Sequence, residues 1–293
     1  GKVYIFLISL NVLWFYAILA GFSASIVRAA VMFSVIAFTK ILNRQSNIYN
    51  SLALSAMILL LYNPNYLFDV GFQLSFAAVL SIIVFQPFVR KYSYSKNYFL
   101  RETKSLLLIS LVAQIGVLPL TLYYFGQFPL LFLVANLIAI PLSSIVLVLG
   151  LVLIPFNFLL PKIAIYLSVF VNFLIDLMNN FTAWIVQFDT FIIKNIAFHE
   201  VLVVLMYVVI SCVIYLVYHP KIKNLSPILV AVLLFQIGYF FLNTNEKKNN
   251  EFVVFNVMKH NLFAETKNNI AVFYTDDFEN SKQIIQVYTR GKF

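Results

Sequence analysis

The chain is short of nearly everything a soluble protein keeps on its surface. Charged residues make up 11% of its 293 positions, and only 11 of those side chains are acidic; a soluble domain carries about 25% charge. The apolar share is 62%, more than a globule of this length can hide from water, so the composition specifies an integral membrane protein. One cysteine, Cys212, sits in an apolar run, which excludes a disulfide scaffold, a cysteine metal cluster and the redox chemistry of either. Eight glycines and nine prolines exclude a collagenous or low-complexity chain. The three histidines, His199, His219 and His260, stand apart, with no metal-binding spacing and no Gly-rich phosphate cradle around them. No metal, cofactor or catalytic centre is therefore expected, and without a nucleotide-binding loop the chain cannot power movement by itself. It starts at Gly1 and not Met, as a piece of a longer protein does, so its start carries no targeting information.

Lipid offers no partners to bare backbone, so uncharged runs of about 20 residues read as helices. Such runs cover 3–20, 22–42, 47–62, 66–89, 105–125, 129–160, 163–192, 201–219 and 226–243. They end at Asn63-Pro64-Asn65, Gly126-Gln127-Phe128-Pro129, Pro161-Lys162, His219-Pro220 and Ser226-Pro227, where proline and short polar residues stop helices. The pattern predicts an all-α polytopic membrane protein of about 8–10 transmembrane helices. The run 129–160 carries Asn136, Pro141 and Pro155 and is too long for one straight pass, so a broken or re-entrant pair is expected there.

Cytoplasmic loops keep Lys and Arg. Counted as single passes, the runs put Lys2, then Lys40 and Arg44, then Arg90, Lys91, Lys96, Arg101 and Lys104, then Lys221 and Lys223 on one side. The opposite loops, at Gly21, 63–65 and 126–128, hold no cation. Residues 1–243 thus read as a membrane domain, and 244–293 are expected to emerge outside the cytoplasm. That tail holds thirteen charged side chains and reads as soluble, with strands at 251–258 and 269–274 and a turn at Asp276-Asp277. Two or three strands do not make an independent domain, so the tail reads as the truncated opening of a larger segment or an appendage on the membrane part.

Ionisable groups inside a span cost roughly 2.5–3.5 kcal/mol even on a lenient scale. Arg28, Asp69 and Asp176 stand out. Arg28 and Asp69 fall at comparable depth on separate runs, which makes them natural partners; Arg28 snorkelling to headgroups is the alternative. Asp69 and Gln73 share a helical face at i, i+4. Gly71 and Ser75, like Gly21 and Ser25, are small residues suited to close helix packing. Asn172, Asp176 and Asn179 recur at i, i+4, i+7, a stripe that suits a pore wall or an interfacial helix. Gln114 before Pro119 and Asn136 before Pro141 repeat an amide followed by proline, as a substrate path or a pair of kinks would. In the inner loop, Arg90, Lys91, Lys96 and Arg101 alternate with Tyr92, Tyr94, Tyr98 and Phe99. That mixture suits membrane anchoring or the stacking of a single nucleic acid strand.

The residues Gly21-Phe22-x-x-Ser25-x-x-Arg28-Ala29-x-x-Met32, Leu42-Asn43-Arg44-Gln45, Asn63-Pro64 and Asp69-Val70-Gly71-Phe72-Gln73-Leu74-Ser75-Phe76 resemble the ComEC competence family. The resemblance covers most of 1–243, the later helices matching by hydropathy. It implies a multi-pass channel in the bacterial cytoplasmic (inner) membrane that passes single-stranded DNA during natural transformation. Arg28, Asp69, Gln73, Gln114, Asn136 and Asp176 would lie along the path. It also implies a cytoplasmic helicase or strand-binding proteins to supply motive force, an extracytoplasmic DNA receptor, and a homo-oligomer as one form. Members commonly add an oligonucleotide-binding-type domain and a metallo-β-lactamase-like nuclease domain. Neither is visible in this chain, so it is expected not to be an enzyme. Without the resemblance, an ion-coupled small-molecule transporter using Asp69 and Asp176, or a membrane scaffold, stays open.

Overall fold

A computed structural model describes residues 2–22, 24–41, 47–246, 251–255, 261–267, 270–278, 281–282, 284–285 and 288. The motif at 42–45, the expected strand residues 256–258 and His260 lie outside them. Nine α-helices occur among the described residues: α1 (Lys2–Leu19), α2 (Ala24–Ile41), α3 (Ile48–Tyr62), α4 (Val70–Ser93), α5 (Tyr98–Phe125), α6 (Phe132–Leu159), α7 (Pro161–Val186), α8 (Glu200–Tyr218) and α9 (Leu225–Glu246). Two short strands, β1 (Phe128–Pro129) and β2 (Ile192–Ile193), flank α6 and α7, and β3 (Glu251–Phe255), β4 (Leu262–Lys267) and β5 (Ile270–Thr275) follow α9. Six helices are long and apolar enough to cross a bilayer: α4 to α8, and α9 with the turn before it, Ile222–Leu242. The chain is a mostly helical, multi-pass membrane protein with a small antiparallel sheet in its tail.

The chain divides into two compact units. One comprises Gly1–Phe88, Val112–Tyr124 and His199–Phe240; the other comprises Val89–Leu111, Phe125–Phe198 and Phe241–Phe293. In the first unit, α1 ends because Gly21 takes a left-handed backbone (φ 66°). The Phe22 and Gly21 N–H groups then bond the Ala17 and Ile18 carbonyls, closing the helix in a Schellman turn. Where α4 and α5 pack, they do so through small residues. A Cβ on Gly116 would fall 2.4 Å from Ser81 Cβ and 2.8 Å from the Ala77 carbonyl oxygen, and Ser81 Oγ donates to the Val112 carbonyl.

Both helices contain an internal proline, Pro87 in α4 and Pro119 in α5. Each proline removes an N–H and crowds the preceding turn, leaving carbonyls that need other donors in lipid. α8 supplies them. Tyr218 Oη donates to the Val84 carbonyl at 2.6 Å, three residues before Pro87, and Tyr207 Oη to the Gly116 carbonyl at 3.1 Å, three residues before Pro119. The two tyrosines lie three helical turns apart and share a face.

In the second unit, α6 and α7 are joined through Leu160 alone and pack along each other. β1 pairs antiparallel with β2, so the hairpin begins and ends at one place. This corrects the expected break at 129–160. α6 is one continuous 28-residue helix through Pro141 and Pro155. At 1.5 Å per residue it runs about 42 Å, which tilt accommodates. α7 returns over a similar length, 26 residues.

The tail sheet has the order β3-β4-β5. Two of its strands follow from Val, Ile, Phe and Tyr content. β4 was not expected, because Glu265 and Lys267 dilute its apolar alternation, yet it is the central strand. It buries Leu262, Ala264 and Thr266 on one face.

Candidate functional site

The structure brings Arg28 and Asp69 together, with Nη1 of Arg28 3.1 Å from Oδ1 of Asp69. The surroundings differ from the expectation in one respect. Asp69 is not a helical residue sharing a face with Gln73. It is the N-cap of α4, with an extended backbone (φ −72°, ψ 121°). Its Oδ1 accepts the Phe72 N–H at 2.7 Å, and its carbonyl accepts the Gln73 N–H at 3.1 Å. The 3-10 turn Pro64–Phe68 delivers the chain to that cap. Capping an α-helix with Asp satisfies an orphan N–H and places negative charge at the positive end of the helix dipole.

Arg28 is the fifth residue of α2, roughly 6 Å from the helix start. The pair therefore lies nearer the helix ends than a mid-span placement would put it, which reduces the cost of keeping it. The Arg28 side chain is 9% exposed and that of Asp69 43%. Arg28 Nε is buried without a hydrogen-bond partner among the described residues.

Gly71 follows from the same contact. A Cβ there would lie 2.8 Å from Arg28 Nη2 and 3.2 Å from Asp69 Oδ1, so glycine makes room for the guanidinium against the first turn of α4. Gly71 thus meets another helix, α2, through the Arg28 side chain. Ser75 Oγ bonds back to the Phe72 carbonyl, and the close approach falls one and a half turns later, at Ala77 and Ser81 against Gly116. Gly21 likewise ends a helix, with nothing within 4 Å of its would-be Cβ, and Ser25 is exposed.

Gln73 is bonded at both ends of its amide. Nε2 donates to the Leu67 carbonyl at 2.9 Å, and Oε1 accepts from Tyr124 Oη at 2.8 Å. It braces α4, the preceding turn and the end of α5. Beside it, Tyr123 Oη donates to Glu200 at the start of α8 at 2.9 Å. Sequence reasoning missed Tyr123 and Tyr124, which read as part of an apolar run, and also Gly116 with Ala77 and Ser81. The last two are spaced small-xxx-small and could have been found on that ground.

Gln114 and Asn136 are both half-buried, the former in the first unit and the latter in the second. In α7 the buried positions are Ala164, Val171 and Leu174. Asn172, Asp176, Asn179 and Asn180 are exposed on another face. Trp184 stacks with Phe181 and meets Phe188 edge-on, and Phe188 contacts Phe191. An aromatic cluster of this kind marks a membrane–water boundary. The polar stripe runs about 16–28 Å along the helix from Pro161 and ends beside Phe181.

The expected inner loop is mostly helix: Arg90 and Lys91 lie in the last turn of α4, Arg101 in the first turn of α5 and only Lys96 in the connection, all four exposed. Lys91 Nζ sits 5.5 Å from the Tyr92 ring, and the Arg101 guanidinium 5.2 Å from the Tyr98 ring. Arg101 also meets Glu102 at 3.5 Å, an exposed contact of small energetic weight.

Two cavities in the first unit are lined by other residues. One of about 220 Å³ lies among Met32, Ser51, Ser55, Ile83 and Gln86, and one of about 550 Å³ along Val204, Tyr207, Cys212 and Pro227. Among the described residues no group of three or more His, Cys, Asp or Glu side chains is placed to hold a metal ion.

Membrane-length helices, one capped by an ion-paired carboxylate and one carrying an exposed polar stripe, define a polytopic membrane protein. The chain belongs to the Competence protein family, whose model matches residues 1–220. It is similar to ComE operon protein 3 of Bacillus subtilis (strain 168), with 34% identity over 126 residues, or 43% of this chain and 15% of that relative. The match thus spans a small part of the relative's length. The resemblance carried by the motifs between Gly21 and Phe76 is borne out. No solved structure matches the chain.

Proposed function

We propose that this chain forms part of the membrane passage through which single-stranded DNA enters a bacterial cell during natural transformation. Family membership supports a role in DNA uptake. The observation that carries the passage itself is the exposed stripe Asn172, Asp176, Asn179 and Asn180 within a membrane-length helix. Facing hydrocarbon, Asp176 alone would cost roughly 2.5–3.5 kcal/mol, so the stripe belongs against water. A strand carries one charge per nucleotide and cannot cross a dry wall. Amide side chains offer donors and acceptors to water, bases and phosphates alike.

Arg28 and Asp69 stand at a helix end, where a strand would be met, and Gln114 and Asn136 are further candidates for the lining. Gln73, bonded at both ends, holds the corner together. In this reading the membrane is the bacterial cytoplasmic membrane. The α4–α5 connection and the helix ends beside it lie on its inner side, where Tyr92, Tyr94, Tyr98 and Phe99 with their cations receive the strand. The tail lies outside. A receptor delivers DNA, and a cytoplasmic helicase or strand-binding proteins draw it inward. The chain itself performs no catalysis.

Labelled DNA uptake tests this in a null strain complemented with Asn172→Leu/Asp176→Leu, alongside Arg28→Ala. Uptake falls to background while the variants still reach the membrane. Normal uptake by the α7 variant refutes the passage, and normal DNA uptake with altered solute accumulation points to a transporter.

A further inference from the structure

We propose that the Arg28 guanidinium and the first turn of α4 form a binding site for one phosphodiester group of a single strand, with the Asp69 carboxylate as the group that the phosphodiester displaces. The assignment rests on the DNA-uptake reading above. A guanidinium has five N–H donors, and a buried one ordinarily spends most of them. Arg28, 9% exposed, makes one side-chain bond, from Nη1 to Asp69, and its Nε is buried without an acceptor among the described residues. Nη2 lies against Gly71, 2.8 Å from where a Cβ would be. The missing side chain leaves guanidinium N–H groups and helix N-terminal backbone converging on one place.

A cation beside the positive end of a 24-residue helix is unfavourable unless an anion sits between them. Asp69 fills that need incompletely. One oxygen, Oδ1, serves both the Phe72 N–H and Arg28, and the carboxylate is 43% exposed, within reach of a competing anion. A phosphodiester spreads one charge over two oxygens, and once the carboxylate is displaced these suit the paired N–H geometry that a guanidinium favours.

Binding of labelled oligothymidylate to the full chain in phosphatidylcholine nanodiscs tests the site. Asp69→Asn keeps the cap, because Asn caps as well as Asp, and removes the competing charge, so affinity rises about tenfold. Arg28→Gln lowers affinity at least about tenfold and reduces the slope of log affinity against log salt by about 0.7, one phosphate contact on a single strand. Gly71→Ala, which pushes the guanidinium from its place, also weakens binding.

If Asp69→Asn leaves affinity unchanged, the displacement is refuted even where Arg28→Gln fails to fold. If phosphatidylglycerol in the discs abolishes the Asp69→Asn gain, the ligand is a lipid phosphate and the assignment to DNA falls. Uptake in cells is a separate measurement. DNA uptake that needs the chain, with binding indifferent to Arg28 and Asp69, overturns the site and spares the function. Uptake indifferent to the whole chain, with binding as expected, does the reverse.

Discussion

Replacing Gly116 by alanine tests the tightest contact in the first unit. The added methyl carbon would fall 2.4 Å from Ser81 Cβ, 2.8 Å from the Ala77 oxygen and 2.9 Å from Ser81 Oγ, whereas carbon atoms rest at about 3.5–4.0 Å. The Ala77 contact is backbone and cannot rotate away, so α4 and α5 must part by about 1 Å. Overpacking of this kind costs about 1–3 kcal/mol. Separation also stretches the Ser81–Val112 hydrogen bond, worth about 0.6 kcal/mol between membrane helices. Against this, alanine gains roughly 0.5–1 kcal/mol over glycine as a helix former. The net expectation is a loss of about 1–3 kcal/mol, measured by reversible unfolding in mixed micelles titrated with dodecyl sulfate. Gly150→Ala is the control, since nothing lies within 4 Å of its would-be Cβ; it leaves stability unchanged or raises it by up to about 1 kcal/mol. Adding Ser81→Gly to Gly116→Ala recovers part of the loss. If Gly116→Ala behaves like Gly150→Ala, the close approach described for α4 and α5 is wrong.

Tyr207→Phe and Tyr218→Phe each remove the donor to a carbonyl near a proline. Each lowers stability by about 0.6 kcal/mol and at most about 1.7 in the same unfolding assay; an unchanged pair would mean that the prolines leave no carbonyl in need. Asp69→Ala loses the cap and strands Arg28, so it costs more than Asp69→Asn by at least about 1 kcal/mol, and equal stabilities would contradict the capping role. Gln73→Leu abandons two bonds at the α4–α5 corner and destabilises by about 1 kcal/mol, whereas Gln114→Leu, whose amide is only half-buried, changes stability little.

The helices were legible in the sequence because hydrocarbon leaves one solution for a long uncharged run, and each of the nine runs became a helix. The pairing of Arg28 with Asp69 was legible because two opposite charges at one depth have little else to choose. The role of Asp69 was not, since periodicity treats 66–89 as a continuous helix and cannot see that Pro64 starts a separate turn before α4. Spacing presents Gly71 as a site of close helix packing; its neighbour is a side chain brought from 43 residues earlier, which local spacing does not reveal. Length misled at 129–160. Proline and excess length suggested a break, but tilt and a matching α7 let α6 run through. The bonds of Tyr207 and Tyr218 were invisible for the same reason as Gly71, being long-range answers to a local defect.

The pairing of Phe128 with Ile193 and Pro129 with Ile192 gives the α6–α7 hairpin the character of a cassette. Whatever crosses with α6 comes back with α7, so excising or grafting the stretch between those strands leaves the sidedness of the flanking chain untouched. Variation in the length of that hairpin can be absorbed without rewiring which loops face which compartment.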